Sequence, residues 1–244
     1  MITRPYSRPA GLGRAAGAEA RDLAFDAGLR SYMLSVYNYM ASGVLWTGIV
    51  ALLFAGSGYA ATILGGPGIL KWAIIFAPLP FVMALSFGVD RMSAGTAQLL
   101  YWLFATVMGL SMASIFLVFT GESIAQAFFA AAAAFLGLSL YGYSTRRDLS
   151  AFGTFLIMGV VGLLAAMIVN LFMQSGTMAL AISVIGVLLF AALTAYDTQR
   201  IKSLYFELAG SEVMGKSAIM GALSLYLDFI NLFSFLLHFL GRRE

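Results

Sequence analysis

Two aspartates placed inside long apolar runs are the residues of this chain best suited to chemistry. Asp197 stands in LLFAALTAYDTQRI and Asp228 in ALSLYLDFINLF. Putting an ionisable side chain in hydrocarbon costs several kcal/mol, so each position demands a reason. Two carboxylates facing each other in low dielectric resist being ionised together. Such a pair can share a proton, or hold a hard divalent cation through oxygen ligands. Around them, Ser224, Asp228 and Asn231 are spaced to share one face of a helix, as are Thr194 and Asp197. The spacing predicts a polar seam inside a helix bundle. The alternative is that each Asp bonds a neighbouring helix and only sets packing register. Arg91 is a candidate third member at the end of its own apolar run, or else an anchor paired locally with Asp90.

Composition dictates what must position these residues. Hydrophobic residues make up 61% of the 244 and charged residues only 10%, too little polar surface to cover a soluble fold. The expected class is an all-α polytopic membrane protein in contact with the lipid bilayer. With no cysteine, disulfides, thiolate metal sites and Cys nucleophiles are excluded. No phosphate-binding glycine loop, HExxH pair or Ser/His constellation occurs, no cofactor is expected, and nothing supports nucleic-acid binding.

Seven apolar stretches are long enough to cross a hydrocarbon core of about 30 Å. They run over 31–55, 71–89, 94–119, 123–143, 151–173, 178–201 and 218–240. Residues 1–28 read as a basic, disordered cytoplasmic tail, with an amphipathic lead-in near Leu23 to Leu29, and 29–244 as the membrane domain. The glycines between Gly56 and Gly68 mark a loop. Pro78 and Pro80 remove two backbone donors from the second stretch, predicting a kink or local unwinding. Ser123 with Gln126 forms a capping-box pattern at the start of the fourth. Glu122 beside it suits a helix N-terminus. Asn170 is expected to bond across helices, and His238, the sole histidine, to sit as a polar tip at the interface.

Basic residues fix an expected orientation. With the N-terminus inside, eleven of the fourteen lie on the cytoplasmic side and only Lys71, Arg242 and Arg243 opposite, which places the C-terminus outside. A half-inserted seventh segment is the alternative. The sixth and seventh stretches form an antiparallel hairpin joined by a polar connection, Ser203 to Lys216. From Ala218, Asp228 lies roughly 15 Å into its helix. Asp197 matches that depth only if its helix continues to about Tyr205.

The pair of motifs AYDTQRI (Ala195 to Ile201) and SLYLDFINLF (Ser224 to Phe233) resembles the transmembrane Bax inhibitor motif family. TGESIAQAF (Thr120 to Phe128) and SLYGYSTRRDLS (Ser139 to Ser150) further resemble its bacterial YccA-type branch. The resemblance covers roughly Tyr32 to Leu240. It implies seven helices with the seventh central, enclosed by the other six, in the inner membrane. It also implies a pH-sensitive calcium leak in which Asp197 and Asp228 form a proton- and calcium-responsive dyad, with Arg91 competing for it. That branch is associated with modulating the FtsH membrane protease, which gives a second reading: a regulator whose dyad is structural. The connection between the Asp motifs is longer here than in leak-type members.

An intramembrane aspartyl protease also uses Tyr-Asp in one helix and Asp in the next. Here Leu225-Tyr226-Leu227 replaces the GxGD pattern of the presenilin type, and no proline follows Pro80. A non-enzymatic role is expected.

Overall fold

The computed structural model describes the backbone of residues 12–242 and the side chains of 25–242. Nine α-helices follow one another: α1 (Leu12–Gly56), α2 (Tyr59–Leu64), α3 (Ile69–Phe76), α4 (Pro78–Gly88), α5 (Ala94–Met112), α6 (Gly121–Ser144), α7 (Ser150–Met173), α8 (Gly176–Leu208) and α9 (Met214–Leu240). They supply seven spans long and apolar enough to cross a membrane, with α3 and α4 together making the second. The chain is an all-α polytopic membrane protein.

α9 is the axis. It packs chiefly on α1, α5, α6 and α8, and apolar side chains all round it, from Ala222 and Leu225 to Leu232 and Leu237, are buried. A helix that is hydrophobic all round belongs in an interior. The enclosure is narrower than six helices. α7 packs on α8, and α3 and α4 pack on α5, because their outward faces, such as Phe155 and Phe172 or Trp72 and Phe87, are lipid-type surface.

Glycines allow the closest approaches. A Cβ on Gly142 would strike the Ala195 backbone carbonyl, so α6 and α8 touch main chain to main chain. Gly186 lies against the Phe235 ring and Gly221 against Ile201, which fixes the α8–α9 register.

Several expectations need correction. The fourth span is capped by Thr120, whose extended backbone lets its hydroxyl accept from Ser123 N–H. Ser123 is therefore inside the helix, and its Oγ accepts from Arg242 N–H instead, while Gln126 donates to Glu122. The polar connection expected over 203–216 is partly helical: α8 runs to Leu208 and α9 begins at Met214. The glycine-rich first connection contains α2. The helix of the first span extends back to Leu12, through part of the segment expected to be a tail, and residues 1–11 lie outside the described residues. In the second span the hydrogen-bond ladder is interrupted at Ala77, yet Ala77 keeps helical dihedrals, so the prolines interrupt without unwinding. Ser111 of α5 donates to Ile75 C=O beside that interruption.

Candidate functional site

The hairpin α8–α9 carries both aspartates. Asp197 lies about 16 Å along α8 from Leu208, and Asp228 about 21 Å along α9 from Met214. The expected match in depth holds to within one helical turn, after moving the start of α9 from Ala218 to Met214. α9 is one unbroken helix. Its first turn meets the end of the second span, and Arg242 beyond its last turn meets Thr120 and Ser123, so it traverses the whole bundle rather than half of it.

Asp228 is buried, with 4% of its surface exposed, and its Oδ2 has no hydrogen-bond partner. Its carboxylate feels the like charge of Asp197. Asp197 is half-buried, and the cation acting on it is Arg200, three residues further along α8. A buried acceptor left unpaired beside a second carboxylate is an expensive arrangement for a purely structural site.

The expected seam is built differently. Thr194 Oγ1 donates to Phe190 C=O and Asn231 Nδ2 to Leu227 C=O, each within its own helix. Ser224 is half-buried on the face of α9 that carries Asp228. The bonds that cross between helices run one residue to the side. Thr198 Oγ1 donates to Thr194 C=O at 2.8 Å, so it can only accept from Ser139, 3.0 Å away. Ser139 then accepts from Tyr37 OH. Counting single hydroxyl protons thus orients the chain from Tyr37 on α1, through Ser139 on α6, to Thr198 on α8. It meets α8 at the residue next to Asp197. A groove of about 500 Å³, lined by Asp26, Arg30, Tyr37, Ser139 and Tyr143, opens below it. Two residues before Asp228, Tyr226 OH bonds Thr47, which donates to Ala105 C=O, tying α9 to α1 and α5. Tyr37, Ser139 and Thr198 escaped the sequence reading because hydroxyl residues are common on membrane helices. The usable signal was Thr198 lying four residues after Thr194, one turn along the same face.

Arg91 closes a short 3₁₀ turn after α4 and is exposed. Its side chain makes no hydrogen bond or ion pair among the described residues, either with the dyad or with Asp90. Lys216, at the start of α9, is the side chain that reaches this turn, donating to the carbonyls of Val89 and Asp90. Asn170 bonds locally: its Oδ1 accepts from Ser175 N–H in the α7–α8 connection, not from another helix. His238 is exposed near the end of α9, as expected of an interfacial tip, and packs edge-on against Phe119.

No group of three or more acidic or histidine side chains able to hold a metal occurs among the described residues. A cation at the dyad would take two carboxylates and complete its shell with neutral oxygens or water. For calcium, which accepts six to eight oxygens in flexible geometry, an unpaired Oδ2 and a second carboxylate are suitable donors.

A seven-span bundle wrapped on its last helix, with an aspartate in each arm of the final hairpin, defines an integral membrane protein with an intramembrane carboxylate pair. Residues 29–244 match the family described as inhibitor of apoptosis-promoting Bax1, and the chain belongs to that family. An uncharacterized protein of Rickettsia prowazekii (strain Madrid E) is 45% identical over 92% of this chain and 95% of its own length. An uncharacterized protein of Caulobacter vibrioides is 44% identical, over 95% of this chain and 96% of its own. Inner membrane protein YbhL of Escherichia coli (strain K12) is 41% identical over 89% of this chain and 94% of its own.

Proposed function

We propose that this protein is a pH-sensitive calcium-permeation protein of the inner membrane, in which Asp197 and Asp228 bind protons or calcium in competition. One observation carries the reading: Asp228 is buried with an unpaired carboxylate oxygen beside the charge of Asp197. A proton shared by the pair relieves their repulsion, and so does a divalent cation. Whichever occupies the site excludes the other, which couples permeation to pH. The inner-membrane placement is supported by the relative named an inner membrane protein. The pair is assigned to ion binding rather than hydrolysis.

Arg91 enters this scheme as a competitor only when the inner end of the second span moves toward the dyad. Arg91→Ala should then alter the pH dependence of flux with the fold intact. Unchanged pH dependence returns Arg91 to an anchoring role. The membrane orientation is N-terminus inside and C-terminus outside. A reporter after Glu244 should be active only externally, and one in the connection 209–213 only in the cytoplasm.

The deciding experiment is calcium flux across liposomes containing purified protein, measured over a range of pH. Flux with a pH midpoint supports the proposal. No flux above protein-free liposomes at any pH sinks it and favours a regulator acting on a membrane partner such as an FtsH-type protease.

A further inference from the structure

On the opposite side of the dyad from the Tyr37–Ser139–Thr198 chain lies a second opening. A cleft of about 430 Å³ between α7, α8 and α9 is lined by Asn170, Gln174, Ser183, Asn231, Ser234 and His238, among apolar side chains. It sits toward the end of the bundle where α9 finishes and Arg242 follows, away from the arginines of the α6–α7 connection. No charged residue lines it.

The donors of this cleft are largely spent. Ser183 Oγ donates to Ala179 C=O, Ser234 Oγ to Ile230 C=O and Asn231 Nδ2 to Leu227 C=O. His238 Nδ1 lies 2.7 Å from Ser234 C=O, and a carbonyl only accepts, so that nitrogen carries the proton. What remains is lone pairs: two hydroxyl oxygens, Asn231 Oδ1 and, in the neutral ring, His238 Nε2. Donors come only from the amide groups of Asn170 and Gln174 and the second N–H of Asn231. Asn231 stands one turn beyond Asp228 on the same face of α9, so the row of acceptors leads from the cleft toward the unpaired carboxylate.

We infer that the α7–α8–α9 cleft is a binding and entry vestibule for a hydrated divalent cation, with Asn231 as its inner oxygen ligand and His238 at its mouth. The inference rests on the dyad being a cation site and adds the route by which the cation arrives. Side-chain oxygens without a fixed charge strip a hydration shell partly and hold the ion weakly, which suits a step before the carboxylates.

The test uses tag-free full-length protein in detergent, where His238 is the sole histidine and its imidazole signals are unique. Manganese(II), a paramagnetic ion that favours oxygen ligands, is titrated against the NMR signals of that ring. Wild type should show selective broadening that excess calcium reverses. Asn231→Leu should require at least tenfold more manganese, and Ser183→Ala, a milder change, about threefold more. Broadening that is absent, unaffected by calcium or equal in the wild type and both variants overturns the vestibule. This readout needs no flux. A protein that binds manganese here yet leaks no calcium keeps the vestibule and loses the permeation reading, whereas flux without broadening does the reverse.

Discussion

The seventh and second spans are built to opposite rules. α9 is one 27-residue helix with large side chains buried on every side, and it is held by Tyr226, Lys216 and the backbone of Arg242. The second span is two pieces joined at Ala77, of which α3 buries no residue and α4 only Pro78 and Leu85. It leans on α5, bonded there by Ser111, and among the described residues Lys216 is the side chain whose hydrogen bonds tie it to α9. Helices with few buried contacts and a missing pair of ladder bonds open at lower free energy than packed ones. The contrast teaches where conformational change is affordable: the dyad helix is the fixed reference, and the split span is the part able to move against it.

The harshest way to break the centre is to widen it. Gly142→Val forces a side chain into the Ala195 main chain, which has no rotamer to escape into, and should destabilise by about 3 kcal/mol or more. Gly162→Val on the periphery meets open space and should stay within about 0.5 kcal/mol. Thermal unfolding in detergent compares them, and equal losses would erase the distinction between axis and rim.

Next in size are changes to the dyad that spare its shape. Asn keeps the outline of Asp and cannot ionise in the same range. Asp228→Asn should abolish or displace the pH midpoint of flux and weaken calcium binding, and Asp197→Asn should do the same. The double variant should add little, since the pair acts as one unit. Both single variants retaining the wild-type pH profile and calcium affinity would reduce the pair to a packing device.

Smaller effects come from the second span. Replacing Pro78 and Pro80 together by Ala restores two backbone donors, and should stiffen the span and lower flux several-fold while Tm holds or rises. Lys216→Met removes the tie to Val89 and Asp90 and should raise flux and hydrogen exchange at 85–91 with little change in Tm. The smallest effect lies outside the membrane. Ser150, through its side chain first and then its backbone N–H, bonds Asp148 and holds its carboxyl below the ordinary value of 3.8. A depressed carboxyl stabilises the fold above that ordinary value, and loses the contribution as pH falls through its lower folded value. Asp148→Asn should therefore fray only the first turn of α7, seen as faster amide exchange there near neutral pH and no difference once Asp148 is protonated in acid.

The span count and the placement of Asp197 and Asp228 within the last two spans were legible because hydrocarbon imposes a strong filter: long apolar runs and rare internal charges have few alternative meanings. Pro78 and Pro80 announced the interruption at Ala77 for the same reason. The cap on the fourth span was misjudged because Thr120 and Ser123 both satisfy a capping pattern, and only the backbone decides between them. Lys216 escaped notice as anything but a topology marker, since its target is a pair of main-chain carbonyls that leave no trace in side-chain spacing. The Tyr37–Ser139–Thr198 chain joins three helices distant in sequence. No periodicity within one helix reveals such a junction.

The direction of that chain has a consequence for proton traffic. A relay works by handing protons along hydroxyls to a group that can keep one. Here every hydrogen points from Tyr37 toward Thr194 C=O, and an amide carbonyl is too weak a base to hold what it is offered. The row is thus an insulator at rest. Only a rotation that turns the Thr198 hydroxyl away from that carbonyl would free the row to pass a proton on.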